Sequence, residues 1–418
     1  MFLIQSFVTV TPESAALISD ALQSNTSLTE LNLSGHNLGV DGCKALSNAI
    51  KSHGGLTRVS LGHETLGSDH DQLELLMDGM LQCKSLLHID LAKRSFNALS
   101  MKIVEKYVVE HVNITMITSL DLSQNALDNE SLSSLARVLN HTKVNNLNLS
   151  LNSFDHNGLE SFVDIILQQS STKLNLINLT GNQLGNGGGQ QVARLMQANR
   201  LHEVEINECH IGDEGANALG QALVQWQGLH LAASENAGFS NGLALGIREA
   251  LKSSSQVQPG QLSHLALRGC NIGDEGVMAI AEAIQGGRLP KLTVLDIAVN
   301  SLTLQALQAI GTVLMADNPS TIISLDISCN DLGLPGVELI GQWLQSNKLQ
   351  SLETLSLNKI NIGINGQLAL CKSLTKFPAS LKIIESMGNS GNVEESDDDF
   401  LDALDDLYEE TIIDFKWK

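Results

Sequence analysis

Aromatic side chains are scarce in this chain: nine Phe, two Tyr and three Trp make up 3% of 418 residues. A core built around large rings is excluded, and Leu, Ile, Val and Ala must fill it in thin, similar layers. Basic residues are also in deficit, with 25 Lys and Arg against 46 Asp and Glu and a formal net charge of −21. That balance argues against nucleic acid as a partner, because phosphate binding needs a basic face, and favours another protein with a basic surface. No run approaches the roughly 18 apolar residues of a membrane span, so no membrane partner is expected. The opening stretch MFLIQSFVTVTPES is apolar but has neither a basic region nor a small-residue cleavage site, and is not read as a signal peptide. The six cysteines, at 43, 83, 209, 270, 329 and 371, form no C-x-x-C pair. They read as reduced thiols of a cytoplasmic protein rather than a disulfide framework.

What the chain does have is repetition. Leu262–Ile284, LSHLALRGCNIGDEGVMAIAEAI, and Leu201–Leu223, LHEVEINECHIGDEGANALGQAL, follow one template. The first half alternates apolar and polar residues, the period of a half-buried strand; the second switches to i, i+3, i+4, i+7, the period of an amphipathic helix. Such a strand–turn–helix unit cannot bury its apolar face alone and must stack on copies of itself. The copies start at Leu28, Leu56, Leu86, Ile117, Val144, Leu174, Leu201, a degenerate segment near Trp226, Leu262, Leu292, Ile322 and Leu352. A last strand, Leu381–Asn389, closes the series. Residues 1–27 read as an N-terminal cap, with an edge strand over Phe2–Val10 and a helix begun by Thr11 and Pro12. Residues 28–389 read as a solenoid of about twelve repeats plus that strand.

This pattern resembles the ribonuclease-inhibitor-like leucine-rich repeats over roughly residues 11–390. The resemblance implies an α/β horseshoe with a parallel sheet on the concave face and helices on the convex face. Right-handed crossovers between neighbouring parallel strands give the same geometry from first principles. The resemblance also implies a ladder of turn residues that bond the backbone of adjacent turns, here Asn125, Asn152, Asn182, Cys209, Cys270, Asn300, Asn330 and Asn389. In the first three repeats the ladder position holds His36, Glu64 and Arg94, none a usual buried turn residue.

From residue 390 the composition changes. Residues 393–418 contain eleven acids and two lysines, which reads as an acidic, flexible C-terminal tail over 390–418. Its Phe400, Leu401, Leu404, Leu407 and Tyr408 stand at helical spacing, as in a short amphipathic helix that docks on something. The acidic, hydrophobic-ended terminus with Glu409-Glu410 is similar to the C-terminal signals of effectors that intracellular bacterial pathogens inject through type IV secretion. That resemblance implies a protein translocated into a host cell. Repeats of this subclass followed by an acidic tail also look like Ran GTPase-activating proteins, which supply a catalytic arginine from the loop after an early strand. The aligned position here is Ser68, and Gly67–Asp71 contains no arginine; an arginine finger needs its guanidinium at the transferring phosphate.

Signatures of catalysis and cofactors are weak. Gly185–Gly189 lacks the Lys-Ser/Thr of a phosphate loop, and Cys209 beside His210 is a ladder residue whose neighbour points another way. The expectation is a monomeric, non-enzymatic scaffold without metal or cofactor. Alternation places its binding residues at outward strand positions of the concave face: Asp90, Asp121, Glu203, Glu205, Glu208, His264, Arg268, Asp296 and Asp326. The Glu203/Glu205/Glu208 group is the densest and the first choice for a basic partner.

Overall fold

The computed structural model describes residues 2–4, 10–110, 116–169, 174–253, 258–317, 320–346, 348–374, 380–389 and 398–417. They form two compact units, residues 1–191 with 198–205 and residues 192–197 with 206–418. In the first unit the strands are β1 (Phe2–Ile4), β2 (Glu30–Ser34), β3 (Arg58–Gly62), β4 (His88–Asp90), β5 (Ser119–Asp121), β6 (Asn146–Asn148), β7 (Leu174–Asn178) and β8 (Leu201–Glu205). Each pairs in parallel with the next. In the second unit β9 (His230–Ala232), β10 (His264–Ala266), β11 (Val294–Asp296), β12 (Ser324–Asp326), β13 (Thr354–Ser356), β14 (Ile383–Glu385) and β15 (Asp414–Lys416) do the same.

A helix follows each strand up to β14. In order they are α1 (Pro12–Ser24), α2 (Gly39–Ser52), α3 (His70–Gln82), α4 (Ala98–Glu110), α5 (Asn129–Asn140), α6 (His156–Gln168), α7 (Gly185–Gln197), α8 (Asp213–Leu223), α9 (Gly242–Ser253), α10 (Gly273–Gln285), α11 (Leu304–Leu314), α12 (Gly333–Gln345), α13 (Gly363–Leu374) and α14 (Asp398–Glu410). Their starts follow local chemistry. The Thr11 hydroxyl accepts the Ser14 N–H and Pro12 occupies the first turn, while Asp128 and Ser131 form a reciprocal capping box. Asp274 adds negative charge to the first turn of α10, and its carboxylate also accepts the Thr303 N–H of the next repeat at 2.8 Å.

The middle residue of each short strand, such as Ile89, Leu120, Leu147 and Leu295, is buried under the helices, and its neighbours face the other way. The turn after each strand then bends sharply. The residue before the ladder position takes positive φ in turn after turn, from Lys93, Gln124 and Leu151 to Glu235, Val299 and Cys329. Glycine holds the same place at Gly181, Gly269 and Gly388.

Two expectations about the ends need revision. Of the expected strand Phe2–Val10, Phe2–Ile4 pairs with β2, and residues 5–9 lie outside the described residues. The acidic segment expected as a flexible tail is folded over residues 398–417. Helix α14 buries Phe400, Ala403, Leu404 and Leu407, β15 pairs with β14 and buries Phe415, and Ile413 just before it is buried as well. The acids occupy the solvent side of α14, so the same residues that raise the charge leave an apolar stripe to pack. Tyr408 Oη donates to the Phe415 carbonyl at 2.9 Å, and the Phe400 and Trp417 rings meet edge to face at 5.0 Å. What the helix docks on is its own chain.

Candidate functional site

The ladder is a hydrogen-bond device. Asn125 Nδ2 donates to the Leu91 and Leu122 carbonyls at 3.0 and 2.9 Å, and its Oδ1 accepts the N–H groups of Arg94 and Phe96. Asn152, Asn182, Asn300, Asn330 and Asn389 repeat the pattern. One amide thus satisfies buried turn backbone on two layers. The Cys270 thiol donates to the Ala233 carbonyl at 3.0 Å, and burial pushes that thiol up to about 12. Cys209 is fully buried with its thiol 3.3 Å from the Asn207 carbonyl. Sequence reasoning passed over Asn236, which bonds the Ile206 and Ala233 carbonyls from the degenerate repeat. Its signal was its place five residues after Leu231 in LHLAASEN.

The three unusual ladder positions part company. His36 is buried and its Nδ1 accepts the Val10 N–H at 3.3 Å. Arg94 is 6% exposed, and its guanidinium donates to the carbonyls of Leu61, Ala92 and Lys93 at 3.0, 2.7 and 3.0 Å. Glu64 is exposed and makes no rung; a short 3-10 turn, Leu66–Ser68, takes over, and the Gly67 N–H donates to the Arg94 carbonyl. The loop that would carry an arginine finger therefore holds Ser68, while Arg94 is occupied inside the turn.

The outward strand positions of the first unit form two rows. One runs Glu30, Arg58, His88, Ser119, Asn146, Leu176, Glu203; the other runs Asn32, Ser60, Asp90, Asp121, Asn148, Asn178, Glu205. Over β3 to β7 the rows border a hollow of about 160 Å³, lined by Arg58, His88, Asp90, Ser119, Asp121, Asn146 and Asn148 among others. Arg58, which sequence reasoning did not select although it alternates with Ser60 as His88 does with Asp90, stands at one edge, 3.7 Å from Glu30. Burial, reinforced by Arg58, lowers the His88 pKa and so favours the neutral ring.

Of the expected binding residues, Asp90 and Asp121 are direct neighbours in register. Asp90 Oδ1 accepts the Ala92 N–H at 3.0 Å and Asp121 Oδ1 accepts that of Ser123 at 2.8 Å, so each carboxylate also pins its own turn. Asp121 Oδ2 accepts from Asn148 Nδ2 at 3.0 Å. Glu203 and Glu205 are half-buried on β8, where Glu205 accepts from Asn178 Nδ2 at 2.6 Å. Glu208 is not a strand position. It is the exposed, positive-φ residue of the following turn, because the strand ends at Glu205.

In the second unit Asp296 and Asp326 are register neighbours that make the same turn bond, to Ala298 at 3.0 Å and Ser328 at 2.8 Å. Burial, with Asp326 alongside, raises the Asp296 pKa. His264 stacks on His230, with centroids 5.5 Å apart and planes within 10°. Arg268 lies beyond the end of β10, 3.9 Å from Glu235. No group of three or more His, Cys, Asp or Glu arranged to hold a metal occurs among the described residues, and none of the described helices is long and apolar enough to cross a membrane.

A family model described as Leucine Rich repeat matches residues 24–47, 113–136, 170–193, 199–220, 262–281 and 318–341. No curated protein matches. Among solved structures, one described as "Crystal structure of TLR13-ssRNA13 complex" is similar at 16% identity and a TM-score of 0.45, covering 88% of this chain and 51% of that one. The present chain thus spans about half the length of that protein. The chain carries leucine-rich repeats and folds as an α/β leucine-rich-repeat solenoid.

Proposed function

We propose that this chain is a non-enzymatic scaffold whose sheet face binds a partner protein with a basic surface. The observation that supports it is the charge of the outward rows in the first unit. Among the described residues they carry Glu30, Asp90, Asp121, Glu203 and Glu205 against the single cation Arg58. A face of one dominant sign steers an oppositely charged partner and raises its association rate, an effect that salt screens. Affinity purification with the intact chain, repeated with Glu203→Lys and Glu205→Lys, tests the reading. Loss of the captured protein supports it, and unchanged capture moves the site elsewhere.

The acidic C-terminal segment carries the finer form of this reading, an effector delivered into a host cell. A translocation reporter fused with and without residues 390–418 tests it, and equal delivery of both would remove it.

A further inference from the structure

We infer that the hollow on the sheet of the first unit is a recognition pocket for one basic side chain, an arginine or a lysine, presented by an extended segment of the partner. The inference rests on the scaffold reading above and names which side chain of the partner the face would read.

The first support is size. A cavity of about 150 Å³ holds a benzene, and the hollow offers about 160 Å³, room for one side chain rather than a helix or a loop. The second is chemistry that the fold does not need. In every repeat from β4 to β7 the second-row residue accepts the N–H two positions on, but Asn148 and Asn178 make that bond to Ser150 and Thr180 as well as Asp90 and Asp121 make theirs. The turn asks for an oxygen and not for a charge. The two carboxylates that border the hollow thus bring negative charge beyond their structural task.

The third support is the balance around them. Across the hollow, Arg58 lies against Glu30, and burial favours the neutral form of His88. Arg94 lies close enough to Asp90 to feel its charge, yet three backbone carbonyls hold its guanidinium in the turn. Asp121 has one oxygen on Ser123 N–H and the other on Asn148, so its charge is held in place instead of swinging free. Ser119 and Asn146 add polar groups on the facing row. Fixed carboxylates and amides around a side-chain-sized space suit a guanidinium or ammonium, which brings donors and no acceptor.

The test uses the full chain with methyl labels at Leu176, which stands on the outward row and lines the hollow, titrated with acetyl-Gly-Arg-Gly-amide. Lysine, norleucine and glutamate versions of the tripeptide serve as controls. The expected result is saturable shifts of those methyls with the arginine or lysine peptide, weakened at least tenfold by Asp121→Asn and by Asp90→Asn. Both variants keep the turn bond that Asn148 and Asn178 make, and an unchanged unfolding midpoint would show that the fold is intact. Equal shifts from the norleucine or glutamate peptide, no shift at tens of millimolar, or unchanged affinity in both variants would overturn the inference. If the hollow is silent while Glu203→Lys still abolishes partner capture, the pocket fails and the scaffold reading stands. If the hollow binds arginine and partner capture ignores every sheet-face variant, the scaffold reading fails alone.

Discussion

Arg94 Nε donates to the Leu61 carbonyl at 3.0 Å, which is the bond an asparagine amide makes across layers elsewhere in the ladder. A buried guanidinium here does the work of a short amide, with two further carbonyls, Ala92 and Lys93, absorbing its other donors. Burial lowers its pKa, yet arginine stays charged throughout the ordinary pH range. Arg94→Ala should strip three carbonyls of their partner and cost about 1.5–3 kcal/mol, the range for bonds to a charged group. Arg94→Asn should recover part of that loss. Urea unfolding midpoints of the two variants check the order.

Val299 adopts φ 57° in a turn where Gly181, Gly269 and Gly388 occupy the equivalent place. A β-branched side chain pays about 1–2 kcal/mol in that region, and glycine pays none. Val299→Gly should therefore raise stability, by roughly 0.5–1 kcal/mol after the entropy lost by a freer unfolded chain. Val299→Ala, which keeps the Cβ, should gain little. Thermal midpoints of the pair separate backbone strain from the loss of a 39% exposed side chain.

Thr142 borders an apolar cavity of about 30 Å³ formed with Met77, Phe96, Met101 and Val108, and its buried hydroxyl has no hydrogen-bond partner among the described residues. Burying an unpaired polar group costs about 1–3 kcal/mol, so Thr142→Val should stabilise the first unit by a similar order. Denaturant unfolding of the variant checks this, and a destabilised protein would contradict it.

The Glu385 carboxyl is held below its ordinary value chiefly by its bond to Lys416 at 3.1 Å. The ionised form is the one bound, so this contribution is present above the ordinary glutamate value of 4.5 and is lost as the pH falls through the lowered one. The protection of the β15 amides, relative to their intrinsic exchange rates, should fall across that acid window, and Lys416→Met should weaken that pH dependence while the Asn358 and Ser356 bonds keep part of it. A chain ending at Asn389 would lose Phe400, Leu404, Leu407 and Phe415 from the packed layer and should unfold earlier than the full chain.

The repeat was legible in the sequence because its two periods recur in register, so each copy reinforces the others. Asn236 was missed because its copy has Ala232 and Ala233 where the template alternates, which blurs the strand although the ladder residue is kept. The role of Arg94 was not legible, since its bonds go to carbonyls of Leu61 and of its own turn that only the bend brings together. Acid content masked the packing stripe of α14, as charge and apolar spacing coexist on opposite faces of one helix. The hollow was half legible: alternation identified Asp90 and Asp121, but not that Arg58 would border the same space.

The central claim, that the sheet face of the first unit carries the binding surface, is tested most directly by hydrogen exchange on the complex with a captured partner. Exchange should slow in the turns after β4 to β7 and in β8, with the helices unchanged, and that protection should be lost with Glu203→Lys. Protection confined to the helices, with the strand turns exchanging as in the free chain, would contradict it.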